Sequence, residues 1–228
     1  MGLAGSTFYF YTQSQNWKED HQNLQSEYNI LQEKYDFLDS LISENVIERT
    51  TNIVAVSEDG QGVLATLTVD LTPGTGDIFV KSGPLIGFDF QDAQIDAIRA
   101  AANFTNFSIE EDSNGLVDIH THFEVSAETT KGVTIPRIDG PSVGAAATIA
   151  TIAALRGKNI RNGVVITGTI SPDGEIGPVG GVKEKAEAAE AANMELFLVP
   201  EGQSVSTPGD LEIREVSNLN EATDYFYE

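Results

Sequence analysis

Asp139-Gly140-Pro141-Ser142-Val143-Gly144 opens an almost wholly apolar run from Val143 to Leu155. A strand-like Gly163-Val164-Val165-Ile166-Thr167 follows, then a glycine-rich turn, then Gly180-Gly181-Val182-Lys183-Glu184-Lys185. The order reads turn, helix, strand, turn, helix. Pro141 suits the first turn of a helix, so Ser142 sits at a helix start. Free backbone N–H groups there face the position where a tetrahedral oxyanion would form, and Gly140, Pro141 and Ser142 supply that backbone. Gly140 and Gly144 carry no Cβ and let substrate approach closely. A serine hydroxyl is a poor nucleophile until a base takes its proton. The chain has no Cys, which leaves serine as the economical nucleophile. Lys183, just past the double glycine, is the expected base, forming a Ser142–Lys183 dyad. It acts only when neutral, so its pKa must fall from about 10.4 toward about 7–8. Ile176, Val179 and Val182 are placed to desolvate it, and the positive end of the helix Val182 to Asn193 disfavours an ammonium there. No metal or other cofactor is expected, since such a pair needs none.

The 228 residues carry 35 Asp+Glu against 13 Lys+Arg, a formal charge of −22. Such a surface repels nucleic acid and anionic lipid, which excludes a nucleic-acid role. The absence of Cys excludes a disulfide framework without naming a compartment. The length suffices for one domain with a buried core plus an appendage.

That appendage is N-terminal. Residues 1–12 are uncharged and aromatic, from Phe8 to Tyr11 most of all, but too short to span a bilayer by themselves. They read either as the last turns of a membrane anchor or as a disordered start. From Phe10 to Val46 there is no Pro or Gly, and Trp17, His21, Leu24, Tyr28, Leu31, Tyr35, Leu38 and Ile42 recur at intervals of four and three. That is the a/d spacing of a coiled coil, so residues 13–47 are expected to form a helix that joins copies of the chain into a homo-oligomer.

Residues 50–228 read as the globular part. Strands are expected at Asn52–Val56 and Gly62–Leu71, joined by the turn Glu58-Asp59-Gly60, then at Ile78–Val80, Leu116–Glu124, Leu196–Val199 and Leu211–Val216. Helices are expected at Phe90–Ala102, from Val143, from Val182, and from about Asn220. Strands come first as a block and then alternate with helices, which predicts an α+β fold with a mixed sheet.

The paired motifs, Asp139 to Gly144 and Thr167-Gly168-Thr169-Ile170 through Lys185, resemble in content and order the proteolytic domain of Lon proteases. The likeness covers the chain from about Thr50 onward and implies a serine endopeptidase acting on unfolded polypeptides. Carried over by residue, it implies Ser142 as nucleophile and Lys183 as general base. It also implies Thr167 as a hydrogen-bond partner of the lysine amine, and Asp139 as the aspartate beside the serine. Asp139 then either holds the lysine protonated in an inactive form or serves only the turn. Departures from the family pattern matter too. No Gly-x4-Gly-Lys-Ser/Thr occurs in this chain, and the region upstream is a coiled coil of about forty residues. The resemblance is therefore to a stand-alone, archaeal-type Lon-like protease that needs no ATP in this chain, or to one that borrows an unfoldase from another chain. The loop Val125 to Ile138 also differs from the usual short connection.

Competing readings remain at this stage. Asp118, His120, His122 and Glu124 alternate along one strand and share a face, which offers metal ligands for a metal-dependent hydrolase. His120 or His122 also offers a Ser–His pairing with Ser142, which leaves the lysine unexplained. Gly140-Pro141-Ser142-Val143-Gly144 fits Gly-x-Ser-x-Gly, but a hydrolase elbow needs a partner His downstream, and no His follows Ser142. A third reading is a non-catalytic coiled-coil assembly module on a Lon-like domain. The N-terminal aromatics and the Asn-x-Ser/Thr matches at Asn103 and Asn106 favour a membrane-associated or extracytoplasmic location, with a cytoplasmic one left open.

Overall fold

The computed structural model describes residues 3–44, 46–57, 60–82, 85–107, 117–124 and 137–227. The chain divides into two compact units, Met1–Ser40 and Leu41–Glu228. Helix α1, Leu3–Glu44, is unbroken, as the absence of Pro and Gly beyond its first turn requires. Side-chain pairs four residues apart reinforce it: Gln25 Nε2 donates to Asn29 Oδ1 at 3.1 Å and Gln32 Nε2 to Asp36 Oδ1 at 2.8 Å. Its heptad residues Trp17, Leu24, Tyr28, Leu31 and Tyr35 are 59% to 72% exposed. Among the described residues no helix is long and apolar enough to cross a membrane.

In the second unit, β1 (Ile47–Val56) and β2 (Gly62–Pro73) form a long antiparallel hairpin, with Ile47 opposite Leu71 and Val56 opposite Gly62. Of its expected turn, Glu58 and Asp59 lie outside the described residues; Ser57 N–H donates to Gln61 O across it at 2.8 Å. β1 begins at Ile47, five residues ahead of the expected Asn52 and within the range read as the coiled-coil helix. β5 (Val117–Glu124) pairs antiparallel with β2, and β3 (Ile78–Ser82) pairs parallel with β5. The sheet order β1-β2-β5-β3 is mixed, as predicted. Val63, Ala65, Leu67, Val69 and Leu71 alternate onto one buried face, joined by Ile119 and Phe123. A second sheet, parallel throughout, has the order β11-β10-β7, from β7 (Val164–Ile166), β10 (Leu196–Pro200) and β11 (Glu212–Val216).

Helix α2 (Phe88–Thr105) ends at Asn106, whose φ of 53° closes it in the left-handed conformation, with Phe107 N–H returning to Ala102 O. Helix α3 (Gly144–Leu155) is buried at every position. A helix apolar all round belongs in a core, and its alanines let α2 and strands β1 and β2 close on it. Thr148 and Thr151, its two hydroxyls, each donate to the carbonyl four residues back at 2.8 Å and leave no buried polar group unmatched there. Tyr227 Oη donates to Ile149 O at 2.9 Å, tying the end of the chain to α3. Helix α4 (Val182–Ala191) packs on β1, β2 and β10 through a cluster of Val54, Val165, Val182, Ala186, Ala189 and Phe197. Short pairs β4 (Leu85–Ile86) with β6 (Arg137–Ile138), and β8 (Thr169–Ile170) with β9 (Ile176–Gly177), complete the sheets, and α5 (Leu219–Phe226) follows β11. The expected long loop before Asp139 falls at 125–136, outside the described residues.

Candidate active site

Ser142 stands in a single 3-10 turn, Pro141–Val143, that leads directly into α3. Gly140 enters this turn at φ 99°, a backbone that L side chains rarely adopt, so glycine is required there. The turn is fastened to the segment after β7. Gly168 N–H donates to Ser142 O at 3.2 Å, and Ala145 N–H donates to Gly168 O at 3.0 Å. Gly144 and Gly168 make this closeness available. A Cβ on Gly144 would meet Ile170 Cγ2 at 2.9 Å, and one on Gly168 would meet Ile176 Cγ2 at 2.5 Å.

Thr167, wholly buried, extends the link. Its Oγ1 donates to Ser142 O at 3.4 Å and accepts from Lys185 Nζ at 3.0 Å. Lys185 is 3% exposed, and burial lowers its pKa to about 8. Ser142 and Lys185 line the same cavity of about 370 Å³, together with Asp139, Gly140 and the segment Pro178–Gly181.

The lysine of this cavity is therefore not the one expected from the sequence. Lys183 has a 72% exposed side chain and faces Glu187 Oε1 at 3.9 Å, one helical turn on. The reason is helical phase. Val182, Lys185, Ala186 and Ala189 are buried on one face of α4, and position 183 falls on the other. The apolar stripe at 182, 186 and 189 was present in the sequence, and it selects 185. Thr167, expected beside the Lys183 amine, accepts from Lys185 instead.

The turn's backbone also sorts itself. Gly140 N–H donates to Asp139 Oδ1 at 2.9 Å, and Pro141 has no N–H, which leaves Ser142 N–H as the first donor of the turn. The Asp139 carboxylate also lies over Gly87, where any Cβ would overlap it.

The row on β5 has separate duties. Asp118 Oδ1 accepts the N–H groups of Thr75, Gly76 and Asp77 at 2.8, 3.1 and 3.1 Å. His120 stacks on Phe79 with ring centroids 4.5 Å apart and bonds Thr72 Oγ1 through Nε2 at 3.2 Å. His122 Nε2 faces Asp70 Oδ2 at 3.8 Å. Among the described residues no three His, Asp or Glu side chains are grouped to hold a metal ion, and neither histidine lines the Ser142 cavity. Of the two Asn-x-Ser/Thr matches, Asn103 Nδ2 is engaged with Pro172 O at 2.9 Å; Ser108 of the second lies outside the described residues.

The chain is 32% identical over 139 residues to a Lon protease of Lawsonia intracellularis, covering 61% of this chain and 16% of that protein. It is 31% identical over 139 residues to Lon protease 1 of Bacillus subtilis, covering 61% and 17%. It is 30% identical over 172 residues to a Lon protease of Brucella suis biovar 1, covering 70% and 20%. The matched part is thus a fifth or less of the length of these curated relatives. A sequence model of the Lon protease (S16) C-terminal proteolytic domain matches residues 34–220, which is most of the chain, and on that match the protein belongs to the family of Lon proteolytic domains.

Proposed function

We propose that the chain is a serine endopeptidase that hydrolyses unfolded polypeptides through a Ser142–Lys185 dyad, without ATP. The observation that carries this reading is the buried Lys185 amine, hydrogen-bonded to Thr167 in the cavity that Ser142 lines. An amine with a pKa of about 8 is neutral in roughly a tenth of molecules at pH 7 and in about half at pH 8, far more than an ordinary lysine, and the neutral form has the lone pair a base needs. Thr167 Oγ1 spends its own proton on Ser142 O, so it meets Lys185 as an acceptor and fixes one N–H of the amine. The Ser142 Oγ proton goes to that lone pair as Oγ attacks the scissile carbonyl carbon. The carbonyl oxygen takes up the electron pair and is held by N–H groups of the turn, Ser142 N–H first. Collapse breaks the C–N bond, Lys185 gives its proton to the leaving amine, and an ester on Ser142 remains. Water then attacks the ester, Lys185 again takes the proton, and Ser142 recovers its own.

Assembly belongs to the same reading: the expected coiled coil of residues 13–47 is shortened at its end, since α1 stops at Glu44 and Ile47 already belongs to β1, and residues 13–44 join copies of the chain. Its support is the heptad spacing together with the exposure of Trp17, Leu24, Tyr28, Leu31 and Tyr35.

The deciding assay is degradation of unfolded casein with and without ATP, beside a Ser142→Ala variant. Wild type cleaves equally in both conditions, and the variant is silent. Absence of cleavage, together with no covalent labelling of Ser142 by a fluorophosphonate, would instead mark a non-catalytic Lon-like module.

A further inference from the structure

We propose that Gln203 is a positioning residue that shapes the substrate wall of the cavity, an inference resting on the Ser142–Lys185 reading for its catalytic consequence. Its amide grips both sides of one residue. Gln203 Oε1 accepts from Val179 N–H at 2.9 Å, and Gln203 Nε2 donates to Val179 O at 2.8 Å. This pair imitates the two bonds that a neighbouring strand would make, and among the described residues Val179 belongs to no paired strand.

The segment it grips is the one that most needs holding. Pro178, Val179, Gly180 and Gly181 line the cavity beside Ser142. Two adjacent glycines give this stretch the largest backbone freedom to lose on ordering. Gly181 adopts φ 67°, and a Cβ there would crowd Val56 Cγ2 at 2.7 Å, so glycine is required and stiffness must come from elsewhere. Gly181 O then accepts Lys185 N–H at 3.0 Å, the bond that begins α4 and sets where Lys185 stands. Gln203 is itself anchored: its N–H donates to Pro200 O at 3.1 Å at the end of β10, and the next residue's N–H donates to Glu215 Oε1 at 2.9 Å. The parallel sheet is thereby connected through one side chain to the cavity wall.

Gln203→Ala removes both bonds. Gln203→Glu keeps the shape but sets a second acceptor against Val179 O. Three measurements read the consequences: amide hydrogen exchange over 178–181, steady-state cleavage of a fluorogenic casein-derived peptide, and Ser142 labelling by a small fluorophosphonate that does not span the wall. In both variants exchange at Val179 accelerates, and KM rises roughly tenfold, the scale of one or two neutral hydrogen bonds. kcat and the labelling rate change far less. Unchanged exchange in either variant overturns the clamp, whatever the activity. Unfolding of Gln203→Glu overturns it too, because Gln203 would then hold the fold rather than the wall. Faster exchange with unaltered KM sinks the positioning role and leaves the dyad standing. A wild type that neither cleaves nor labels sinks the dyad, and the positioning role with it, while exchange still judges the clamp.

Discussion

Lys183 and Lys185 differ by two positions, which on a helix is more than half a turn, and their surroundings diverge accordingly. One stays in water beside Glu187, and the other is 3% exposed against Thr167. Burial lowers the Lys185 pKa from 10.5 to about 8. The folded protein therefore binds fewer protons than the unfolded chain between those values. The penalty of burying Lys185 is absent above pH 10.5, grows as pH drops toward about 8, and stays at its full size below that. Lys185→Met should raise stability at pH 7 by on the order of 1–3 kcal/mol, less whatever the Thr167 bond contributes, and the gain should vanish near pH 10.5. Urea unfolding at the two pH values measures it; equal stability at pH 7 would mean the amine is not desolvated. Activity has the matching dependence, since acylation of Ser142 needs the neutral amine and should climb with pH through about 8. A rate already maximal at pH 5 would point to carboxylate chemistry. The sequence brought Ser142, Thr167 and the helix from Val182 into one candidate site, and the structure places Ser142 and Lys185 on one cavity with Thr167 bonded to both. The double glycine and the helix-start dipole argued for 183, whereas the apolar phase of 182, 186 and 189 argued for 185 and prevailed.

Elements hold these residues through contacts too close for side chains. Gly62, at the start of β2, lies so near the Glu184 carbonyl of α4 that any Cβ would overlap it. The hairpin β1–β2 thus seats the helix that carries Lys185. Gly62→Ala should cost about 1–3 kcal/mol, as overpacking against backbone does, and should lower kcat/KM by shifting α4. Thermal unfolding and peptide kinetics together check this; an unchanged protein would show that the hairpin does not seat the helix. The long strands were readable because period-2 alternation in Val63 to Leu71 is strong. The two-residue strands β4, β6, β8 and β9 were not, because two residues carry no period and their pairing is decided by what they pack against. The same limit hid Gln203, whose partner Val179 is 24 positions earlier.

At the scale of the whole molecule, a charge of −22 opposes association, whereas the exposed seam of α1 favours it. Burying each large seam side chain between chains is worth roughly 1.5–3 kcal/mol, and salt screens the repulsion. Leu31→Asp with Leu38→Asp should dissociate the assembly in sedimentation while leaving peptide cleavage intact. A wild type that sediments as a monomer, or a double variant of unchanged size, would refute the coiled coil. The charge was plain in the composition and the heptads in the spacing.

The central claim is that this chain's chemistry runs through Ser142 and Lys185. Peptide turnover of Lys183→Ala and Lys185→Ala, compared side by side, tests it most directly. The account predicts that Lys185→Ala is as silent as Ser142→Ala and no worse when the two are combined, because they act as one unit, while Lys183→Ala turns over like wild type. Loss of turnover in Lys183→Ala with activity retained in Lys185→Ala would contradict it.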